Sequence, residues 1–141
     1  LAQAPAALVD CIITPHPLEA ARLLRRDQVD PDRLTVACQL QSEYGAVVVL
    51  KGAATLVASD TGIAINIMGG PAMATAGMGD VLSGLLGALL AQGQSLSRAA
   101  ELGVAHHGRA AQMATAQQGE VGLLARDVAR HVGRSLSGMT L

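Results

Sequence analysis

The sequence contains no tryptophan and no phenylalanine, and its single aromatic side chain is Tyr44. A core without large rings must be assembled from Ala, Val, Leu, Ile and Met, packed closely and often backbone against backbone; 16 glycines suit that approach. Only one lysine is present, Lys51, and the formal net charge is −1. Such a balance offers no basic stripe for nucleic acid or an anionic membrane surface, so neither is expected as a partner. Cys11 and Cys38 lie far apart, without CxxC spacing or neighbouring histidines, which argues against a zinc site or a disulfide scaffold. Both are expected to be buried thiols in a reducing cytoplasm. The N-terminal residues show no charged-then-apolar leader pattern, and the apolar run 81–91 is too short to span a bilayer. A cytoplasmic protein is expected.

What is present reads as an α/β domain. "ALVDCIITPHP" (7–17) suggests a buried strand ended by two prolines, and "PLEAARLLRR" a helix with Pro17 in its first turn and Leu18, Ala21 and Leu23–Leu24 on one face. "DPDRLTVACQLQSEYG" predicts a second helix stopped at Gly45. "AVVVLKG" is the strongest strand, continuous and β-branched, as expected for a strand covered on both faces. "ATLVAS" and "IAINIM" flank a "DTG" turn and predict a hairpin. From Asp80 onward the pattern is helical: 80–92, then 95–118 with Ser95 or Ser97 as cap and Gly119 as stop, then 123–136. In the last helix Leu123, Val128 and Val132 face inward, opposite a solvated row of Arg126, Arg130 and Arg134. With few strands for three substantial helices, the chain is expected to be part of a domain.

The run "AGMGDVLSG" carries the sharpest chemical signal. A helix that begins near Gly79 leaves its first amides without intrahelical partners, and the glycines at 77 and 79 leave them uncovered. That tip, with its share of the helix dipole, suits a phosphate. Asp80 beside it can accept a proton from a hydroxyl that attacks phosphorus, or it can merely complement the dipole. Neither a Rossmann fingerprint nor a P-loop fits, because Leu82 stands where the third glycine belongs and "KGAAT" has no leading glycine pattern. Lys51 ends the strongest strand, where open α/β sheets place ligand contacts; a snorkelling lysine is the plainer alternative. His16, between two prolines, has a nearly fixed backbone and suits either substrate contact or a structural role. His106 and His107 are neighbours on one helix and cannot share a face, and His131 lies among arginines; none is assigned a metal.

Together "TPHPLEAARLL", "VVVLKGAATLVAS" and "MATAGMGDVLSGLLGALLAQG", in that order, resemble the ADP/ATP-dependent NAD(P)H-hydrate dehydratase family. The resemblance implies a ribokinase-like three-layer α/β/α sandwich, with 1–141 forming a single partial domain that corresponds to the C-terminal half of the family's catalytic domain. It implies ADP-dependent repair of the S-epimer of hydrated NADH or NADPH, with release of AMP and phosphate. By this resemblance Asp80 is the catalytic base and contacts the hydrate. Gly77, Met78 and Gly79 form the anion hole, and Lys51, Gly52, Ala53, Ala54, Thr55 and Gly79 bind the nucleotide. His16 touches the hydrate. ADP or ATP is the implied co-substrate, with Mg²⁺ but no protein metal site; a homo-oligomer and an upstream or associated epimerase domain are implied partners. Three departures from the family's usual TPHPGE and GNPGMATAG-x-GDVLSG stand out: Leu18 replaces Gly, Gly70 replaces Asn and Ala72 replaces Gly. The alternatives are a ribokinase-like kinase for a small alcohol such as a vitamin precursor, and an inactive nucleotide-binding half-domain.

Overall fold

The computed structural model describes residues 10–137. The chain divides into two compact units at residues 66 and 67, and each is described by itself.

The first unit comprises β1 (Ile12–Ile13), α1 (Pro17–Leu23), α2 (Arg33–Tyr44), β2 (Val47–Leu50), β3 (Thr55–Ser59) and β4 (Gly62–Asn66). Its sheet has the order β1-β2-β3-β4: β1 runs parallel to β2, with Ile12 opposite Val47, and β2, β3 and β4 form an antiparallel meander. Every residue of β2 is buried, as its unbroken β-branched run requires. Val36, Ala37, Leu40 and Tyr44 line the inner face of α2 and join Val48, Leu50, Leu56 and Ala58 in one cluster. Tyr44, the lone aromatic, is fully buried, and its hydroxyl finds a partner by donating to the Leu23 carbonyl at 2.9 Å. Asp32 caps α2 by accepting from the Thr35 amide at 3.1 Å, and Gly45 ends it in the left-handed conformation.

The second unit holds a short 3₁₀ turn (Pro71–Met73), α3 (Met78–Ala91), α4 (Leu96–Gln118) and α5 (Ala125–Leu136). α3 buries Leu82, Leu85, Leu86 and Leu89. Gly103 of α4 sits so close to α3 that a β-carbon there would come within 2.4 Å of a Leu86 methyl. Gly108 is confined by backbone instead: its β-carbon would lie 2.6 Å from the backbone carbonyl of Met68. Ala110, Ala111 and Ala114 of α4 pack with Met78, Leu123 and Val128. The small-residue composition is thus used here for close backbone approach.

Several expectations need correction. β1 keeps only two residues of the expected first strand, and residues 7–9 lie outside those described. α1 ends at Leu23, with Arg25 at φ +56°; it buries Ala20 and Ala21, while Leu18 points out at 58% exposure. Seven residues bury little, and the apolar side of the helix is set by the alanines. Ser95, accepting from the Arg98 amide at 3.3 Å, caps α4, and Ser97 lies inside the helix. Neither cysteine is a fully buried thiol: Cys11 is half-buried and Cys38 exposed, because Cys38 lies opposite the face of α2 that carries Leu40 and Tyr44. His106 and His107 are both buried. Among the described residues no helix is long and apolar enough to cross a membrane.

Candidate active site

In the first unit the TPHP and KGAAT segments meet, since the Lys51 amide donates to the Pro15 carbonyl at 2.9 Å. His16 begins α1 as its N-cap: its Nδ1 accepts from the Glu19 amide at 3.2 Å, and its own amide donates to Glu19 Oε2 at 2.7 Å. This reciprocal capping box spends Nδ1 on structure, while Nε2 on the other edge of the ring lies 3.5 Å from Glu19 Oε1. Glu19 Oε2 also lies 3.7 Å from the Lys51 ammonium, so one carboxylate joins both residues. Partial burial pushes the Glu19 pKa up, but the His16 amide and the charges of Lys51 and His16 outweigh it and hold the group below its ordinary value.

After β2 the chain turns through Gly52, Ala53 and Ala54, all exposed, and Thr55 Oγ1 closes the turn on the Gly52 carbonyl at 3.1 Å. Gly52 has φ +145° and Ala54 φ +53°, a combination that needs support from outside the loop. The support is Arg33, at the first position of α2. Its guanidinium donates to the carbonyls of Leu50 at 3.1 Å, Lys51 at 3.4 Å and Ala54 at 3.2 Å, and also to that of Ala53.

In the second unit Gly77 stands at the N-cap of α3 with φ +84°, and no side chain caps the helix. A β-carbon at Gly77 would press against Ala125 at 3.1 Å, so glycine satisfies both the backbone angle and the space. The amides of Asp80 and Val81 both donate to the Gly77 carbonyl at 3.1 Å. The helix therefore starts one residue earlier than expected, and among the described residues the amides without a backbone acceptor are those of Met78 and Gly79 rather than a full set of four. Met78 is buried with its side chain in the α4–α5 cluster, so it contributes only backbone to the tip. The Asp80 carboxylate is exposed, without a hydrogen bond or ion pair among the described residues.

The sequence-predicted residues thus fall into two groups, His16 with 51–55 in one unit and 77–80 in the other. Sequence reasoning missed Glu19 and Arg33. For Glu19 a signal existed, since His-x-x-Glu at a helix start has capping-box spacing. Arg33 had none, because its acceptors lie 17 to 21 residues away. Of the other histidines, His131 links α5 to α4 through Gln117 at 2.9 Å, in keeping with a structural role.

A mixed sheet with helices, and a helix opening on Gly-x-Gly-Asp, define a ribokinase-like α/β protein. A ribokinase-like superfamily protein from Enterococcus faecalis shares this fold with a TM-score of 0.76 at 24% identity, covering 95% of this chain and 49% of that one. The family model described as NAD(P)H-hydrate dehydratase matches residues 2–134, and the chain belongs to that family. It is 50% identical over 139 residues to the bifunctional NAD(P)H-hydrate repair enzyme Nnr of Vibrio cholerae, covering 97% of this chain and 28% of that protein. It is 49% identical over 122 residues to the ADP-dependent (S)-NAD(P)H-hydrate dehydratase of Neisseria meningitidis serogroup B, covering 84% and 41% respectively. Among solved structures, the ADP/ATP-dependent NAD(P)H-hydrate dehydratase from Bacillus subtilis, co-crystallised with ATP/Mg²⁺, superposes with a TM-score of 0.81 at 29% identity over 88% of this chain and 46% of that one. The chain spans less than half the length of each of these relatives.

Proposed function

We propose that this chain carries the nucleotide- and phosphoryl-handling part of an ADP-dependent (S)-NAD(P)H-hydrate dehydratase, which returns hydrated NADH or NADPH to the reduced cofactor. The observation that carries the reading is the tip of α3, where among the described residues the Met78 and Gly79 amides are unclaimed by backbone acceptors and the Asp80 carboxylate beside them has no partner.

The Asp80 carboxylate takes the proton from the C6 hydroxyl of the hydrate. The hydroxyl oxygen bonds to the β-phosphorus of ADP as the bond from that phosphorus to its bridging oxygen breaks, and AMP leaves. The ring-nitrogen lone pair then expels phosphate from C6, and loss of a C5 proton restores the C5=C6 double bond. Phosphorylation turns a poor leaving group into a good one, so the protein's task is positioning and charge stabilisation rather than covalent attack. The amides of 77–79 and the local dipole of α3 stabilise charge on the migrating phosphoryl group. Residues 51–55 line the nucleotide site, with the Lys51 charge tempered by Glu19, and the Nε2 edge of His16 meets the hydrate.

Mg²⁺ is proposed as a companion of the nucleotide phosphates. Among the described residues no group of three His, Cys, Asp or Glu gathers to hold a metal, and no step is assigned to one. An NAD(P)HX epimerase domain, covalently joined or associated, and a homo-oligomeric assembly are proposed partners, in keeping with the bifunctional relatives. The test is recovery of reduced-nicotinamide absorbance when ADP is added to the hydrate with the protein in its full natural length. Recovery no faster than in buffer overturns the reading.

A further inference from the structure

The geometry points to Arg33 as the positioning residue of the nucleotide loop, a side chain that shapes residues 51–55 without touching the nucleotide itself. This inference rests on the reading of that loop given above.

The guanidinium reaches from the start of α2 and gathers the carbonyls of Leu50, Lys51, Ala53 and Ala54 on one side. A planar fork with five donors can meet several acceptors at once, which a lysine ammonium cannot do in one plane. Carbonyls drawn to one side leave the intervening amides to face elsewhere. Gly52, Ala53 and Ala54 are exposed, and among the described residues nothing accepts from their amides. No carboxylate pairs with Arg33 among the described residues, so its charge is met only by carbonyl dipoles and remains in the field of the loop. Its Nε is buried and has no partner among the described residues, which marks a side chain placed for its terminal nitrogens. Gly52 completes the fit, because a β-carbon there would come within 3.0 Å of the guanidinium. Arg33 thereby holds Ala54 in a left-handed conformation that a residue with a β-carbon rarely adopts unsupported.

The experiment compares the wild-type chain with Arg33→Ala, Arg33→Lys and Gly52→Ala. Three quantities are read: amide hydrogen exchange of residues 52–55 without nucleotide, ADP affinity by calorimetry, and the thermal midpoint. All three variants are expected to exchange faster in the loop and to bind ADP about 10- to 100-fold more weakly, in excess of any change in the midpoint. Arg33→Lys is expected to rescue little, because it returns charge without the fork. Gly52→Ala leaves Arg33 in place and reaches the same clamp from the loop side, so it serves if Arg33→Ala fails to fold. Wild-type ADP affinity in Arg33→Lys, or unchanged loop exchange in the variants, overturns the proposal alone. A wild-type protein that does not bind ADP overturns the nucleotide reading and this proposal with it.

Discussion

Oε2 of Glu19 lies 3.7 Å from Nζ of Lys51 while the same oxygen accepts the His16 amide at 2.7 Å. One carboxylate thus caps a helix and attenuates a charge in the candidate nucleotide site. Glu19→Gln separates these roles, since an amide oxygen can keep the cap but cannot counter the lysine. Because the folded-state pKa of Glu19 is depressed, the carboxylate contributes stability above its unfolded value of 4.5, and that contribution is lost as pH falls through the folded value. The wild type should therefore lose stability on acidification below pH 4.5 more steeply than Glu19→Gln. Equal acid limbs in urea titrations would count against the assignment.

Asp80→Asn tests the proton acceptor. The amide is nearly isosteric and leaves the α3 tip intact, so ADP binding should persist while turnover falls by at least about 100-fold, as expected for loss of a general base. Retained turnover removes Asp80 from the mechanism, and lost ADP binding reassigns it to the nucleotide.

The two close-packed glycines of α4 should respond differently to the same added methyl group. In Gly103→Ala the obstacle is a Leu86 methyl, which can rotate away; in Gly108→Ala it is the Met68 backbone, which cannot. Gly108→Ala should cost about 1–3 kcal/mol and Gly103→Ala less, by chemical denaturation. The reverse order would contradict the packing described.

His107 provides a second pH signature, in a different window. Burial lowers its pKa from 6.5 to about 4. Between these values the unfolded chain binds the proton and the folded chain does not, so stability falls as pH drops from 6.5 to about 4 and then levels off. A shift of this size corresponds to about 3 kcal/mol. His107→Gln should flatten that limb while leaving the more acidic one due to Glu19, and an unchanged curve would show that His107 does not titrate there.

Much of this architecture was legible in the residues themselves. β2 announced its burial by an unbroken β-branched run, and α3 announced its start by a glycine whose left-handed angle and tight space against Ala125 exclude a side chain. Local signals also placed Gly45 and Gly119 as helix ends within a residue. What escaped was whatever depends on partners distant in sequence or on which face turns inward. Arg33 carries no local signal, because the carbonyls it serves lie 17 to 21 residues further along the chain. The fixed backbone of His16 suits a structural role as well as substrate contact, and only the fold shows that its Nδ1 is committed to Glu19. The spacing of Leu18 predicts an inward-facing side chain, yet the short α1 buries alanines instead.

The outward-facing thiol of Cys38 makes α2 a convenient handle for spectroscopy. Cys11 is half-buried, and its pKa is raised, chiefly by burial and further by Asp10, so an electrophile near neutral pH meets less thiolate there. A fluorophore introduced without mutagenesis should therefore settle on the very helix whose opening residue grips the loop, and can report when that loop is filled.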